Sequence, residues 1–362
     1  MTLRILHISH RGLPDPRVEK AAISARKWGA ETYFAGGGIS GFSYPLKIFD
    51  GTFELPFNTK ANVGLRPWWN ALKRSLGEVL RRCKPDIVHA HDIIAARLAI
   101  EYDIPVVYDD HEYWSMEMRY RVRGLRDLSC WFIWRAWESI VLRKARAIIT
   151  VSDEIANEHR KLNRNTFTVP NLPLFSEIKN LEKSHVRDRL SSVYVGSLTS
   201  PQPPFRRMDG FIDIFIRRDV GDLVVIGDRR LKSFPPIYSI GFLRHDLLLK
   251  ELTKYHIGII PWKKHPFHSF CNPNKPYEYA CAGLLVLVTS DMKPVISMLG
   301  NFCKTFNNYD ELVSLLKYYK DDMDGALEEG LRTMRFAKEK LIWERFEGRI
   351  FKAYKIASLG ET

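Results

Sequence analysis

The chain has 362 residues, with 55 Lys and Arg against 42 Asp and Glu, a formal excess of +13. Its 45% hydrophobic and 27% charged residues are ordinary globular values, and the length suggests two domains, which excludes disorder, collagen-like repeats and a disulfide scaffold. Five scattered cysteines without C-x-x-C spacing argue against structural zinc and suit a reducing compartment, and there is neither a long apolar run nor a signal-peptide core.

Residues 3–9 read as a buried strand and 18–28 as a helix. Pro16 suits the first helical turn, with Asp15 as its cap. Residues 86–90, 105–109 and 147–151 read as further strands, with helices near 68–82, 93–101 and 128–145 between them. After a proline-broken polar stretch at 170–183, a second series begins, with strands at 192–196, 223–227, 257–261 and 284–288. Residues 324–357 read as helical. Such alternation predicts an α/β fold of parallel sheets with helices on both faces, as two Rossmann-like domains. The expected division is 1–183, 184–340 and a terminal helical segment 341–362.

Ligands of open α/β sheets sit beyond the carboxyl ends of the strands. That rule selects residues 10–17, 89–92 (HAHD), 109–112 (within YDDHE), 196–207, 227–230 and 261–278. In the first, Arg17 either contacts an anion or is a solvated residue beside a capping Asp15. His89 is expected to point away from His91 and to fix loops by hydrogen bonding, whereas His111 is expected at the substrate. His and Asp are metal ligands, but no H-E-x-x-H or comparable spacing occurs, so no metal is expected. Lys275, at the start of a short helix, and Arg206 with Arg207 are candidates for a phosphate group. Glu278 either accepts ribose hydroxyls or complements the helix dipole.

The basic excess admits three partners: nucleic acid, an anionic membrane or a phosphorylated small molecule. Basic residues are spread over both halves, without zinc-finger spacing or an RNP-like motif, so nucleic acid ranks last. The stretch from Arg66 to Lys84 carries six basic residues and one acid, with Trp68, Trp69, Leu72, Leu76 and Val79 on one helical face. It is either an interfacial membrane helix or a surface helix with its apolar side in the core. For Trp131, Trp134 and Trp137, spaced by three, core packing is the expected role.

These segments, in this order and over nearly the whole chain, resemble the retaining GT-B glycosyltransferases of family 4. SHRGLPDPRVEKAA, PDIVHAHD, VVYDDHE and ARAIITVSDEIANE are similar to segments of that family's first domain. VYVGSL, GFLRHDLLLKELTKYHIGIIPW and NPNKPYEYACAGLLVLVT are similar to its donor domain, and WERFEGRIFKAY to its final helix. The resemblance implies two Rossmann-like domains facing each other across a cleft, with the last helix crossing back to the first. It implies sugar transfer from a UDP- or GDP-linked donor to a lipid-linked or glycan acceptor, with no cofactor. In this family a diphosphate oxygen is thought to help deprotonate the acceptor.

Carried over by position, His111 and Glu278 fall on catalytic positions. Gly196, Ser197, Arg206, Arg207, Asn274, Lys275 and Tyr277 fall on the donor side. Gly12, Arg17, His91 and Asp92 fall on the acceptor side or at phosphates. Many members carry E-x7-E where this chain has Phe270 eight residues before Glu278. That departure keeps open a binding protein that has lost catalysis, and the shared fold keeps open a sugar-nucleotide epimerase. The implied location is cytoplasmic, peripheral on the inner membrane face.

Overall fold

A computed structural model describes residues 2–44, 47–57, 66–184 and 188–359. The chain divides into two compact units, 1–170 with 346–362, and 171–345.

The first unit runs β1 (Arg4–Ser9), α1 (Pro16–Lys27), β2 (Glu31–Gly36), β3 (Gly51–Glu54), α2 (Arg66–Cys83), β4 (Ile87–His91), α3 (Asp92–Ala99) and β5 (Val106–Asp110). It continues through α4 (Trp114–Arg121), α5 (Leu125–Lys144), β6 (Ala147–Thr150), α6 (Asp153–Arg160) and β7 (Thr166–Thr168). All seven strands are parallel, in the order β3-β2-β1-β4-β5-β6-β7. β4, β5 and β6 are buried throughout, which is why they read as continuous apolar runs. The order reverses between β1 and β4, so their carboxyl ends open the crevice where such sheets bind ligands. Asp15 caps α1 as expected, accepting from the Arg17 and Val18 amides at 3.0 and 3.3 Å.

The second unit contains α7 (Phe175–Ile178), β8 (Ser191–Val195), α8 (Phe211–Arg218), β9 (Asp222–Ile226), β10 (Ile237–Ile240), α9 (His245–Leu252) and β11 (Ile257–Ile260). α10 (Lys275–Cys281), β12 (Leu285–Thr289), α11 (Lys293–Leu299), β13 (Cys303–Phe306), α12 (Tyr309–Asp321) and α13 (Met323–Lys340) complete it. Its six parallel strands run β10-β9-β8-β11-β12-β13, with the reversal between β8 and β11.

The helical reading of 324–357 needs correction. α13 ends at Lys340, a short turn follows, and a separate helix α14 (Glu347–Leu359) begins. The interruption is held by Trp343, fully buried, whose amide donates to the Pro173 carbonyl at 2.8 Å. α14 belongs to the first unit. There its Ile350, Ala353, Tyr354 and Ala357 are buried, and Arg349 donates to the Thr168 carbonyl at 2.7 Å.

The unit boundaries fall at 170/171 and 345/346, where the sequence pattern suggests 183/184 and 340/341. Residues 171–183 look like a linker but are anchored within the second unit. The Phe175 amide donates to Glu344, Lys338 reaches the Leu181 carbonyl, and Lys183 reaches that of Tyr255.

The interfacial-helix reading of the Arg66 to Lys84 stretch also needs correction. Leu72, Leu76, Val79 and Leu80 of α2 are buried in the first-unit core, and Trp68 and Trp69 pack on it. Their indole N–H groups donate to the Pro56 carbonyl and to Glu101 at 3.1 and 3.0 Å. The apolar face that would enter a membrane is therefore already used; the side chain of Arg66 lies outside the described residues. Trp134 and Trp137 pack against the same core, as their spacing suggests.

Candidate active site

In the first unit, parallel register brings the site together. His7 lies opposite His89, Ser9 opposite His91, and His91 opposite Asp109. His89 does not point away from His91. Residues two apart on a strand share a face, and these two rings stack with centroids 4.3 Å apart.

Asp109, 1% exposed, is the centre. The Arg17 guanidinium grips it, with Nε at 3.1 Å from both oxygens and Nη2 at 2.7 Å from Oδ1. Arg17 also donates to the Val169 carbonyl at 2.9 Å. His89, His91 and His111 approach the other carboxylate oxygen at 3.5, 3.5 and 3.7 Å. Burial opposes the charge on Asp109, but Arg17 and His111 overcome it and hold the carboxyl well below its ordinary range.

Asp92, 1% exposed, is a second buried carboxylate. Its φ is +67°, an uncommon left-handed backbone at the start of α3. The Trp114 indole N–H donates to it at 3.2 Å, and His10, His111 and Arg11 stand at 3.7, 3.7 and 3.9 Å. Burial works against the charge here too, and is outweighed by His111, His10 and Arg11.

His111 sits between the two carboxylates. Burial favours its neutral form, yet Asp92 and Asp109 prevail and raise its pKa to about 9. At neutral pH it is an imidazolium: a fixed cation and N–H donor, not a base. His7, His89 and His91 are driven the other way by burial, His89 down to about 3.

A chain of rings supports His111, with His7 Nδ1 to His91 Nε2 and His91 Nδ1 to His111 Nε2 both 3.1 Å. His89 is tied to the Tyr354 hydroxyl of α14 at 2.7 Å. Arg17 and His91, expected at an acceptor or phosphate, are consumed inside this network. They hold His111 rather than line a surface, and Asp92 does the same. Of the groups around Asp92, Arg11 is exposed, while His10 and His111 keep 15 and 14% exposure.

Among the described residues, His7/His89/His91 and His91/Asp109/His111 could each hold a metal ion, with ligand atoms within 4.8 Å of one another. Arg17 already neutralises Asp109 by direct contact, so the second set offers a cation little.

Gly12 lies in the loop after β1 with φ +154°, and a Cβ there would fall 2.3 Å from the Gly38 carbonyl oxygen. It borders a recess of about 370 Å³ lined also by Arg11, Pro14 and Ile39. A larger depression of about 870 Å³, lined by Ile104, Pro105, Arg146 and Asn165, lies at the opposite edge of the sheet.

The second unit gathers its own set beyond β8 and β11. The loop after β8 is organised by Asp228, which lies in the 227–230 strand-end segment but has no role assigned from sequence. It accepts from the Leu198 and Thr199 amides at 2.7 and 2.8 Å, and from the Ser197 and Thr199 hydroxyls at 3.0 and 2.7 Å. Although burial opposes it, these bonds hold Asp228 well below the ordinary carboxylate range. Gly196, at φ +141°, starts this loop, and a Cβ there would crowd the Tyr194 ring.

Arg206 stands over the Trp262 ring, 5.2 Å from its centroid. It lies within electrostatic reach of Lys275; burial, and then Arg206, lower the Lys275 pKa against the pull of Glu278. Arg207 is a different case, exposed and paired with Asp209 at 2.8 Å, so Arg206 is the cation of the pair that faces Lys275.

Glu278, 4% exposed, accepts from Asn274 Nδ2 at 2.6 Å. Asn274 thus orients the carboxylate; its side chain does not cap α10. Tyr277, expected on the donor side, is fully buried with its hydroxyl directed to Asn272. At seven residues α10 is short, so the cations rather than its dipole carry the anion-binding argument.

His245 is a residue the sequence reading missed. Its Nε2 is 3.2 Å from Glu278 and its Nδ1 3.0 Å from Glu177. Burial is outweighed by these two carboxylates, which raise its pKa to about 10. Only the approach of 177, 245 and 278 in space makes this histidine notable.

Residues 44–171 match the family model Glycosyltransferase Family 4. No curated protein matches the sequence. Among solved structures, sucrose-phosphate synthase from Thermosynechococcus elongatus is similar at TM-score 0.74 and 12% identity, over 99% of this chain and 100% of that one. Anabaena HepE in complex with UDP-glucose is similar at 0.68 and 12%, over 98% and 99%. A Listeria monocytogenes protein assigned as a UDP-N-acetylglucosamine 2-epimerase is similar at 0.62 and 13%, over 100% and 98%. At these identities the likeness is one of fold. The family match thus lies in the first unit, and the two Rossmann-like units in sequence give this chain the GT-B fold of these structures.

Proposed function

We propose that the protein moves a hexosyl-type sugar, with retention, from a UDP- or GDP-linked donor to a lipid-linked or glycan acceptor. The observation that carries this is the grouping of Arg206, Lys275 and Glu278 at the carboxyl edge of the second sheet. Two cations set against each other in a half-buried site are relieved by an anion such as a diphosphate. A carboxylate beside them, already oriented by Asn274 and His245, suits vicinal ribose hydroxyls. That HepE is solved with UDP-glucose and an α-glucosyltransferase with UDP supports a nucleotide-sugar donor.

In transfer, negative charge grows on the leaving diphosphate. Arg206 and Lys275 would stabilise it as preorganised donors, the role a divalent ion plays elsewhere, so this reading needs no essential metal. His111, held charged by Asp92 and Asp109, would present an N–H to an anionic group of the reactants. A diphosphate oxygen would take the acceptor proton on the face the leaving group vacates, which requires no protein base. Gly12 and the recess beside it are proposed on the acceptor side.

The test is sugar transfer from UDP- and GDP-sugars to a panel of lipid-linked and glycan acceptors. Lys275→Ala should lower kcat by about 10²–10³, the cost of losing one preorganised transition-state contact, and Glu278→Ala should raise the donor KM by at least roughly tenfold, the loss of a donor-binding contact. Wild-type rates in both variants would refute this site. Free sugar formed without an acceptor would favour an epimerase. Donor binding without any turnover would favour a protein that has lost catalysis, the reading that Phe270 keeps in view.

A further inference from the structure

α5 carries apolar residues on both sides. Inward, Trp134, Trp137, Val141 and Leu142 pack in the first-unit core. Outward, Leu125, Phe132, Ile133 and Ile140 recur at seven- and eight-residue steps and are 86, 54, 42 and 38% exposed. Ser129 and Ala136 lie between them, also exposed. The strip is roughly 20 Å long at helical rise. A helix apolar all round has a second apolar environment to meet, and a continuous exposed strip marks an interaction surface.

The charges around it are of one sign. Arg126 and Lys144 project along one flank and Arg135 along the other, all exposed, and Arg119, Arg121 and Arg123 lead into the helix. Arg135 also stacks over Trp131 at 5.7 Å, which holds an aliphatic and aromatic surface beside its charge. The nearby acids are withdrawn. Glu117 is buried against Arg121, Glu138 is buried and accepts the Ser115 amide at 3.1 Å, and Asp127 accepts the Arg123 amide at 2.9 Å. A second copy of this face would set arginine against arginine, whereas a sheet of phosphate headgroups over acyl chains matches both features.

We propose that the outer face of α5 docks on an anionic lipid surface, with Phe132, Ile133 and their neighbours at the headgroup–acyl boundary and the flanking cations on phosphates. This deepens the lipid-linked acceptor reading, and its test uses a readout independent of transfer. The full chain is sedimented with phosphatidylcholine vesicles, with and without phosphatidylglycerol. Binding is expected only to the anionic vesicles and falls with salt. Phe132→Ser with Ile133→Ser should abolish it, and Arg126→Gln, Arg135→Gln and Lys144→Gln should each weaken it roughly fivefold. Arg82→Gln, on α2, should leave it unchanged.

Equal retention on neutral vesicles, no retention on either, or wild-type binding by the double Ser variant would overturn the proposal. So would a concentration-dependent dimer in analytical ultracentrifugation that the double Ser variant dissolves. Vesicle binding without sugar transfer to any acceptor would remove the transferase reading and leave this surface standing.

Discussion

Changing His111 to Gln should remove a pH-dependent part of the stability of the first unit. The structure holds His111 between Asp92 and Asp109, at 3.7 Å from each, and raises its pKa from 6.5 to about 9. The folded form therefore keeps the proton that an unfolded chain gives up. Stability from this source is fully present below pH 6.5 and is lost as pH rises through about 9. At about 1.4 kcal/mol per pH unit, the span amounts to about 3 kcal/mol. The ring is 14% exposed, so solvent screens it little.

The assay is urea unfolding at steps from pH 6 to pH 10, followed by tryptophan fluorescence. Seven of the nine tryptophans lie in the first unit, so the signal reports mainly on it. Other groups titrate over the same range, and the difference between wild type and His111→Gln isolates this one. The variant should be the less stable at pH 6, and the gap should shrink by about 3 kcal/mol toward pH 10. Parallel curves would refute the reasoning.

His245→Gln should raise the donor KM roughly tenfold, the loss of about one charge-assisted hydrogen bond, and should have no added effect on Glu278→Gln. Independent losses in the double variant would show that His245 does not act through Glu278. Tyr354→Phe strips His89 of its 2.7 Å partner and should cost about 1–3 kcal/mol in chemical denaturation, with faster amide exchange along α14. Unchanged exchange would mean that this bond does not anchor the helix.

Much of the architecture was legible because parallel, doubly covered strands are continuous apolar runs. Short edge strands were not. β3 alternates half-buried and exposed residues, and β7 has three residues, too few for a period to show. The break between α13 and α14 was invisible for another reason. Residues 341–346 keep a helical apolar spacing, and the chain turns there through the burial of Trp343 and the bond of its amide to the Pro173 carbonyl.

The sequence by itself determined the fold class, the strand ends where chemistry collects, and the motifs around His111, Lys275 and Glu278. These depend on local periodicity and local residue type. Only the tertiary structure decided which of these side chains are buried in the frame and which stay accessible. Arg17 and His91 read as contacts, but strand register with Asp109 buries His91 and the ion pair to the same carboxylate buries Arg17. Arg206 and Arg207 are neighbours in sequence, yet one faces Lys275 and the other pairs with Asp209. His245 and Glu177 gain meaning from Glu278, across 33 and 101 positions of chain. α2 and α5 are both basic and Trp-bearing, and packing alone put the apolar side of α2 in the core and left one side of α5 outward. Charge and hydrophobicity are properties of residues, but burial and pairing arise when distant segments meet.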